Sequence, residues 1–237
     1  MKKKLIPLMA FVLLLLVASA TVFIRTRDPR IRIMPLGDSI TQGPAEEDSY
    51  RRPLWKMLKT TGARVDFVGS MKRNYPDAKP AHSDFDMDHE GHWGWQTGEV
   101  LAKIDGWAAE HVPDIVLLHL GTNDILHGQK NQDTVEKLRG IIVVLRKHNS
   151  GVKIFLAQLI PMGGKAANLK IQELNQLIPD MAHSMTSEAS PVRIVDQYEG
   201  FDALKDTSDG IHPNESGIEK MAQKWCQALA VDLNCQR

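Results

Sequence analysis

Asp114-Ile115-Val116-Leu117-Leu118-His119-Leu120, running directly into Gly121-Thr122-Asn123-Asp124, is the stretch that decides the fold. Its apolar side chains do not alternate with polar ones, so an extended chain here must be covered on both faces. A strand of that kind belongs to a parallel sheet between two helical layers. The sequence on either side agrees. Before it come a strand over Arg30–Leu36, a helix over Ser49–Lys59 and a strand over Arg64–Val68. In the helix, Leu54, Trp55 and Leu58 share one side, and Gly62 is the stop. Thr97–Glu110 reads as a helix with Thr97 as its N-cap and Glu99 in the first turn.

After it come a helix over Thr134–His148, a strand over Lys153–Gln158 and a long helix over Ala166–Ser187, expected to bend or break near Pro179. A strand at Val192–Val195 and a closing helix at Glu215–Val231 complete the series. Strands alternating with helices predict a three-layer α/β/α domain over residues 31–237, with a five-stranded parallel sheet of order 2-1-3-4-5. The stretch from Ser70 to Gln96 shows no period, and so long a loop in a compact domain points to function.

Bulk properties narrow the field. The chain has 237 residues, of which 43% are hydrophobic and 24% charged, the balance of an ordinary globular domain. Lys plus Arg and Asp plus Glu both number 29, so no net positive charge speaks for a nucleic-acid partner. Residues 1–30 differ from the rest. Lys2-Lys3-Lys4 precede the apolar run Leu5–Val17, and Ala18-Ser19-Ala20 offers a small-residue cleavage pattern. Apolar character continues to Ile24, and residues 5–24 as one helix would reach roughly 30 Å, enough to cross a bilayer. A cleaved signal peptide and an uncleaved signal-anchor therefore both stand, and either one places the domain outside the cytoplasm. In an oxidising compartment Cys226 and Cys235 are expected to pair and pin the last helix to the tail.

Four short segments carry chemistry. Ser39 follows the first strand in Leu36-Gly37-Asp38-Ser39, and Asn123 follows the third in Gly121-Thr122-Asn123-Asp124. In a 2-1-3-4-5 sheet these two strands are neighbours, which sets both residues on the lips of one crevice. A serine hydroxyl needs a base, and an asparagine amide suits a developing oxyanion. Asp209-Gly210-Ile211-His212 supplies that base, with an acid at a spacing that reaches the Nδ1 edge of the ring. Gly94, between Trp93 and Trp95 in the long loop, allows close approach of a substrate and offers a main-chain N–H. Asp38, Trp93 and Trp95 are candidates for the substrate pocket.

Other chemistries fail on the residues. Gly37 to Gly43 lacks the Gly-Lys-Ser/Thr of a phosphate loop. Asp84, Asp86 and Asp88 begin like a calcium loop, but His89 stands where glycine is needed and Trp95 where the closing glutamate belongs. His82, His89 and His92 have no fixed ligand spacing. No metal and no cofactor is expected.

The four segments, in this order, resemble blocks I, II, III and V of the SGNH (GDSL-type) hydrolases, over nearly all of residues 31–230. Carried over by motif, the resemblance implies Ser39 as nucleophile, His212 as base, Asp209 as its orienter, and Ser39, Gly94 and Asn123 as the oxyanion hole. Ile33-Met34-Pro35-Leu36-Gly37-Asp38-Ser39-Ile40-Thr41, Tyr50-Arg51-Arg52-Pro53-Leu54 and Glu90-Gly91-His92 through Gly94-Trp95 are similar to the acetylxylan-esterase branch, the third carbohydrate-esterase family. That implies a serine esterase removing acetyl groups from acylated carbohydrate. Two alternatives remain at this stage: a lysophospholipase- or thioesterase-type lipid esterase, and a non-catalytic carbohydrate-binding surface protein.

Overall fold

The computed structural model describes residues 29–233. The apolar run 5–24 and Cys235 lie outside them, and with them the signal segment and one half of the expected cysteine pair. Strands β1 (Ile31–Gly37), β2 (Val65–Phe67), β4 (Ile115–His119), β5 (Lys153–Gln158) and β6 (Val192–Asp196) form a parallel sheet in the order β2-β1-β4-β5-β6. This is the expected 2-1-3-4-5 path, with one addition. A two-residue strand, β3 (Glu90–Gly91), pairs with β1 beyond the end of β2. Two residues have no period to read, which is why the long loop looked structureless.

Both faces of the sheet are covered, as the apolar β4 requires. Met34, Leu36, Val116, Leu118, Ile154 and Leu156 point to a layer made by α3 (Thr97–His111), α5 (Asn131–His148) and α6 (Lys165–Met185). Ile33, Leu117 and Phe155 point the other way, to α2 (Arg51–Thr60) and α7 (Glu215–Leu233), where Trp225 is fully buried. Single-turn helices α1 (Ser39–Gln42) and α4 (Thr122–Leu126) sit at the carboxyl ends of β1 and β4.

Two local expectations are corrected. The N-cap of α3 is Gln96, which forms a capping box with Glu99. Thr97 is drawn inside because its amide and hydroxyl both bond the buried Asp124 carboxylate, at 2.9 and 2.5 Å. Helix α6 runs unbroken through Pro179. Proline cannot donate to the carbonyl four residues back. That carbonyl, on Asn175, accepts from Gln158 Nε2 at 2.8 Å instead.

Gly37 closes β1 opposite His119 of β4. A Cβ there would lie 2.4 Å from the His119 carbonyl oxygen and 2.4 Å from Thr41 Oγ1. Backbone cannot yield as a flexible side chain does. Gly37→Ala is therefore expected to lower stability by at least about 1–3 kcal/mol, read as a shift of the denaturant midpoint.

Candidate active site

The serine arm grows out of β1. Asp38 caps α1, its Oδ1 accepting the Ile40 amide at 3.0 Å. Ser39 is the first residue of the helix, where an amide has no intrahelical partner. Arg51, fully buried, fixes the exit of the turn. It donates to the carbonyls of Thr41, Gln42 and Met87 and to the side chains of Ser49 and Asn74. Burial brings its pKa down to about 10, which still leaves it charged at neutral pH.

The candidate base, His212, arrives on the loop before α7. His212 Nε2 lies 2.9 Å from Ser39 Oγ, and its Nδ1 lies 2.7 Å from Asp209 Oδ2. The other Asp209 oxygen accepts the amides of Ile211 and His212 at 2.9 and 2.8 Å. Burial acts to raise the Asp209 pKa, but the His212 ring and those two amides outweigh it and hold the carboxyl below its usual value. An ionised carboxylate only accepts, so Nδ1 carries the proton and Nε2 is open to take one from Ser39. The loop is pinned from outside by Gly163, whose amide donates to the Gly210 carbonyl at 2.6 Å.

The segments that carry the two candidate oxyanion donors, Asn123 and Gly94, are joined to each other. Asn123 Nδ2 donates to the Trp95 carbonyl at 3.0 Å, tying α4 to the segment that carries Gly94 and leaving its second N–H free. Gly94 has φ +78°, and a Cβ there would meet nothing within 4 Å, so it faces open space. The His92 amide donates to the Gly37 carbonyl at 3.0 Å, holding the same segment against β1. Ser39, His212 and Asp209 thus meet around one strand end, and Asn123 is tied to Trp95, the residue after Gly94.

The three pocket candidates fare differently. Asp38 has no exposed surface and lines nothing. Trp95 packs against the core, with the His92 ring stacked on it at 4.4 Å. The opposite neighbour of His92 is Trp107 at 4.5 Å, and its Nε2 bonds the buried Glu90 at 2.8 Å. This clamp holds the Gly94 segment, and the sequence carried no sign of it beyond the residue types. Trp93 stacks on His212 at 4.6 Å and 14°, with Tyr75 on its far side at 4.8 Å. Its amide is fixed by Gln42 Oε1 at 2.8 Å.

An indole face under a ring that gains positive charge is worth about 0.5–2 kcal/mol. Trp93→Leu is accordingly expected to lower kcat about tenfold, since each 1.36 kcal/mol is a factor of ten. KM should change far less if Trp93 acts on His212 rather than on the substrate.

The histidines and acids of the long loop are taken up by other contacts. Asp84 pairs with Arg52 and Lys56, His82 with Asp48, and the His89 ring accepts the Gly91 amide. Among the described residues no group of three His, Cys, Asp or Glu is arranged to hold a metal. A recess of about 10 Å³ adjoins Ser39 and His212, walled by Gly43, Pro44, Tyr50 and Pro213.

Residues 36–220 match the GDSL-like Lipase/Acylhydrolase family. The chain belongs to that family. It is 34% identical over 220 residues to a multidomain esterase of Ruminococcus flavefaciens, an alignment covering 84% of this chain and 28% of that protein. The chain thus spans little more than a quarter of that relative. Two solved structures are similar over nearly their whole length. One is a carbohydrate esterase family 3 protein from Talaromyces cellulolyticus, 31% identical, covering 87% of this chain and 100% of that one, with a TM-score of 0.77. The other is a family 3 carbohydrate esterase of Clostridium thermocellum, 32% identical, covering 86% and 98%, with a TM-score of 0.75.

Proposed function

We propose that this GDSL-family chain is a serine esterase that removes acetyl groups from carbohydrate through an acyl-enzyme on Ser39. The Asp209–His212–Ser39 relay, with contacts of 2.7 and 2.9 Å, is the observation that carries the reading. His212 takes the Ser39 proton as Oγ attacks the ester carbonyl. The new oxyanion is received by the amides of Ser39 and Gly94 and by Asn123 Nδ2. His212 gives the proton to the sugar oxygen as the C–O bond breaks, then takes one from the water that attacks the acyl-enzyme and returns it to Ser39 Oγ as acetate leaves.

The carbohydrate part rests on the similarity to the family 3 esterases. The complete relay speaks against a purely binding role. Among the described residues no helix is long and apolar enough to cross a membrane. Export rests on residues 1–30, as a cleaved signal or as an anchor through residues 5–24, and N-terminal sequencing of the exported protein separates these. A Cys226–Cys235 bridge belongs to the same proposal, with Cys226 buried on α7.

The test is acetate release from acetylated xylan, pectin and chitin beside hydrolysis of long-chain acyl esters. Release from at least one acetylated glycan, with a steep loss as the acyl chain lengthens, is expected. Preference for the long chains would move the assignment to lipid esters.

A further inference from the structure

The stack on the base ends in an aromatic ring that the chemistry does not use. Trp93 lies between His212 and Tyr75, at centroid distances of 4.6 and 4.8 Å, with the ring planes inclined by only 14° and 18°. Both faces of Trp93 are therefore taken. Tyr75 closes the stack with one face on Trp93, and it is 46% exposed. A single exposed apolar side chain is ordinary on a protein surface. Tyr75 differs because it is held from several sides and stands beside the nucleophile.

Its amide donates to the Gly43 carbonyl at 3.0 Å, and Gly43 with Pro44 walls the recess next to Ser39 and His212. Asn74, with no exposed surface, donates from Nδ2 to the carbonyls of Pro44 and Glu47 at 2.8 and 2.7 Å, while its Oδ1 accepts from Arg51. Gln42 accepts the Trp93 amide and donates to the Arg73 carbonyl at 3.2 Å, so one side chain of α1 sets both layers of the stack. A ring held this firmly offers contact area with little ordering left to lose on binding.

The surroundings narrow what could lie on it. Tyr75 follows Asn74 in a tight turn closed by the two backbone bonds between Asn74 and Ala78. Arg73 and Asp77, two residues before and after it, are charged and exposed, and they pair with each other. One flat apolar face among charged groups suits a pyranose, whose flat C–H face is edged with hydroxyls. A lipid chain would need apolar surface beyond the ring. Tyr75 lies two stacking distances from His212, and a ring on its outer face lies one further out. That is beyond the sugar whose ester reaches Ser39, so the sugar met by Tyr75 is a neighbour along the same chain.

We propose that Tyr75 is a specificity-determining residue, its outer face receiving a sugar ring next in the chain to the one that bears the acetyl group. The proposal rests on the carbohydrate-esterase reading and adds to it the path of the chain, from Ser39 along the His212–Trp93–Tyr75 stack. The rival role is a prop that merely keeps Trp93 on His212. A prop would act on kcat and on every ester alike, whereas a sugar platform acts on KM and only where a second sugar is present.

The test compares wild type, Tyr75→Ala and Tyr75→Phe on p-nitrophenyl acetate, acetylated xylose and acetylated xylotetraose. In Tyr75→Ala the KM for the tetrasaccharide should rise about tenfold relative to the change for the two smaller esters, the effect of one ring face no longer taken from water. Tyr75→Phe keeps the ring and should restore most of the difference. Equal losses on all three esters, or none on the tetrasaccharide, would overturn the proposal.

A titration supplies a readout without turnover. Acetylated xylotetraose should bind Ser39→Ala about tenfold more tightly than it binds the double variant Ser39→Ala/Tyr75→Ala. Equal affinities, or no binding to either, would overturn the proposal. If wild type cleaves no acetyl ester, it is the esterase reading that fails, and the titration still decides the role of Tyr75.

Discussion

Replacing Ser39 by alanine is expected to lower kcat on the order of 10⁶-fold, with acetate release from an acetyl ester as the readout. The size follows from cooperation within the relay. His212 Nε2 at 2.9 Å has nothing to deprotonate once Oγ is gone, and Asp209 then orients a base without a task. The oxyanion donors alone would leave a residual acceleration of about 10³–10⁴ over water. Ser39 is buried and its side chain is hydrogen-bonded only to His212, so Ser39→Ala should fold as the wild type does. Its melting temperature is the control. Adding His212→Ala to Ser39→Ala should cost little more, because parts of one unit are not additive.

Asn123→Ala carries the second largest effect, a loss in kcat of about 10²–10³. Two contributions combine. The free Nδ2–H that would meet the oxyanion disappears, and so does the 3.0 Å bond to the Trp95 carbonyl that holds the Gly94 segment in place. KM should move less than kcat, since the donor is directed at a charge that develops only in the transition state. Asn123→Asp separates the contributions. It keeps the size but presents a charge of the wrong sign, and its rate should fall below that of Asn123→Ala.

Much of this architecture is legible in the sequence because its signals are strong and local. The apolar run Ile115–Leu118 reads as a strand covered on both faces, and strands alternating with helices make the sheet parallel. Ser39 and Asn123 fall on one crevice by topology alone. His212 was marked by Asp209 at the right spacing, a pattern that survives without knowledge of the loop.

The parts that could not be read are those set by distant partners. Thr97 is the better N-cap on preference, but Asp124 on α4 claims both its donors. Pro179 would break an isolated helix, and Gln158 on β5 removes the reason. Strand β3 is too short to have a period, and the Glu90–His92 clamp between Trp95 and Trp107 exists only once the loop is folded. Trp93 looked like pocket lining because an aromatic in a loop beside Gly94 suggests one. In the fold one of its faces stacks on His212.

The most direct measurement of the central claim is rapid acid quench of the wild-type protein with an acetyl ester, followed by mass spectrometry of its peptides. One acetyl group on Ser39, formed within the first turnover and absent from Ser39→Ala, is the predicted result. Acetate release that proceeds with Ser39 unmodified at every time point, or that persists at wild-type rate in Ser39→Ala, would contradict it.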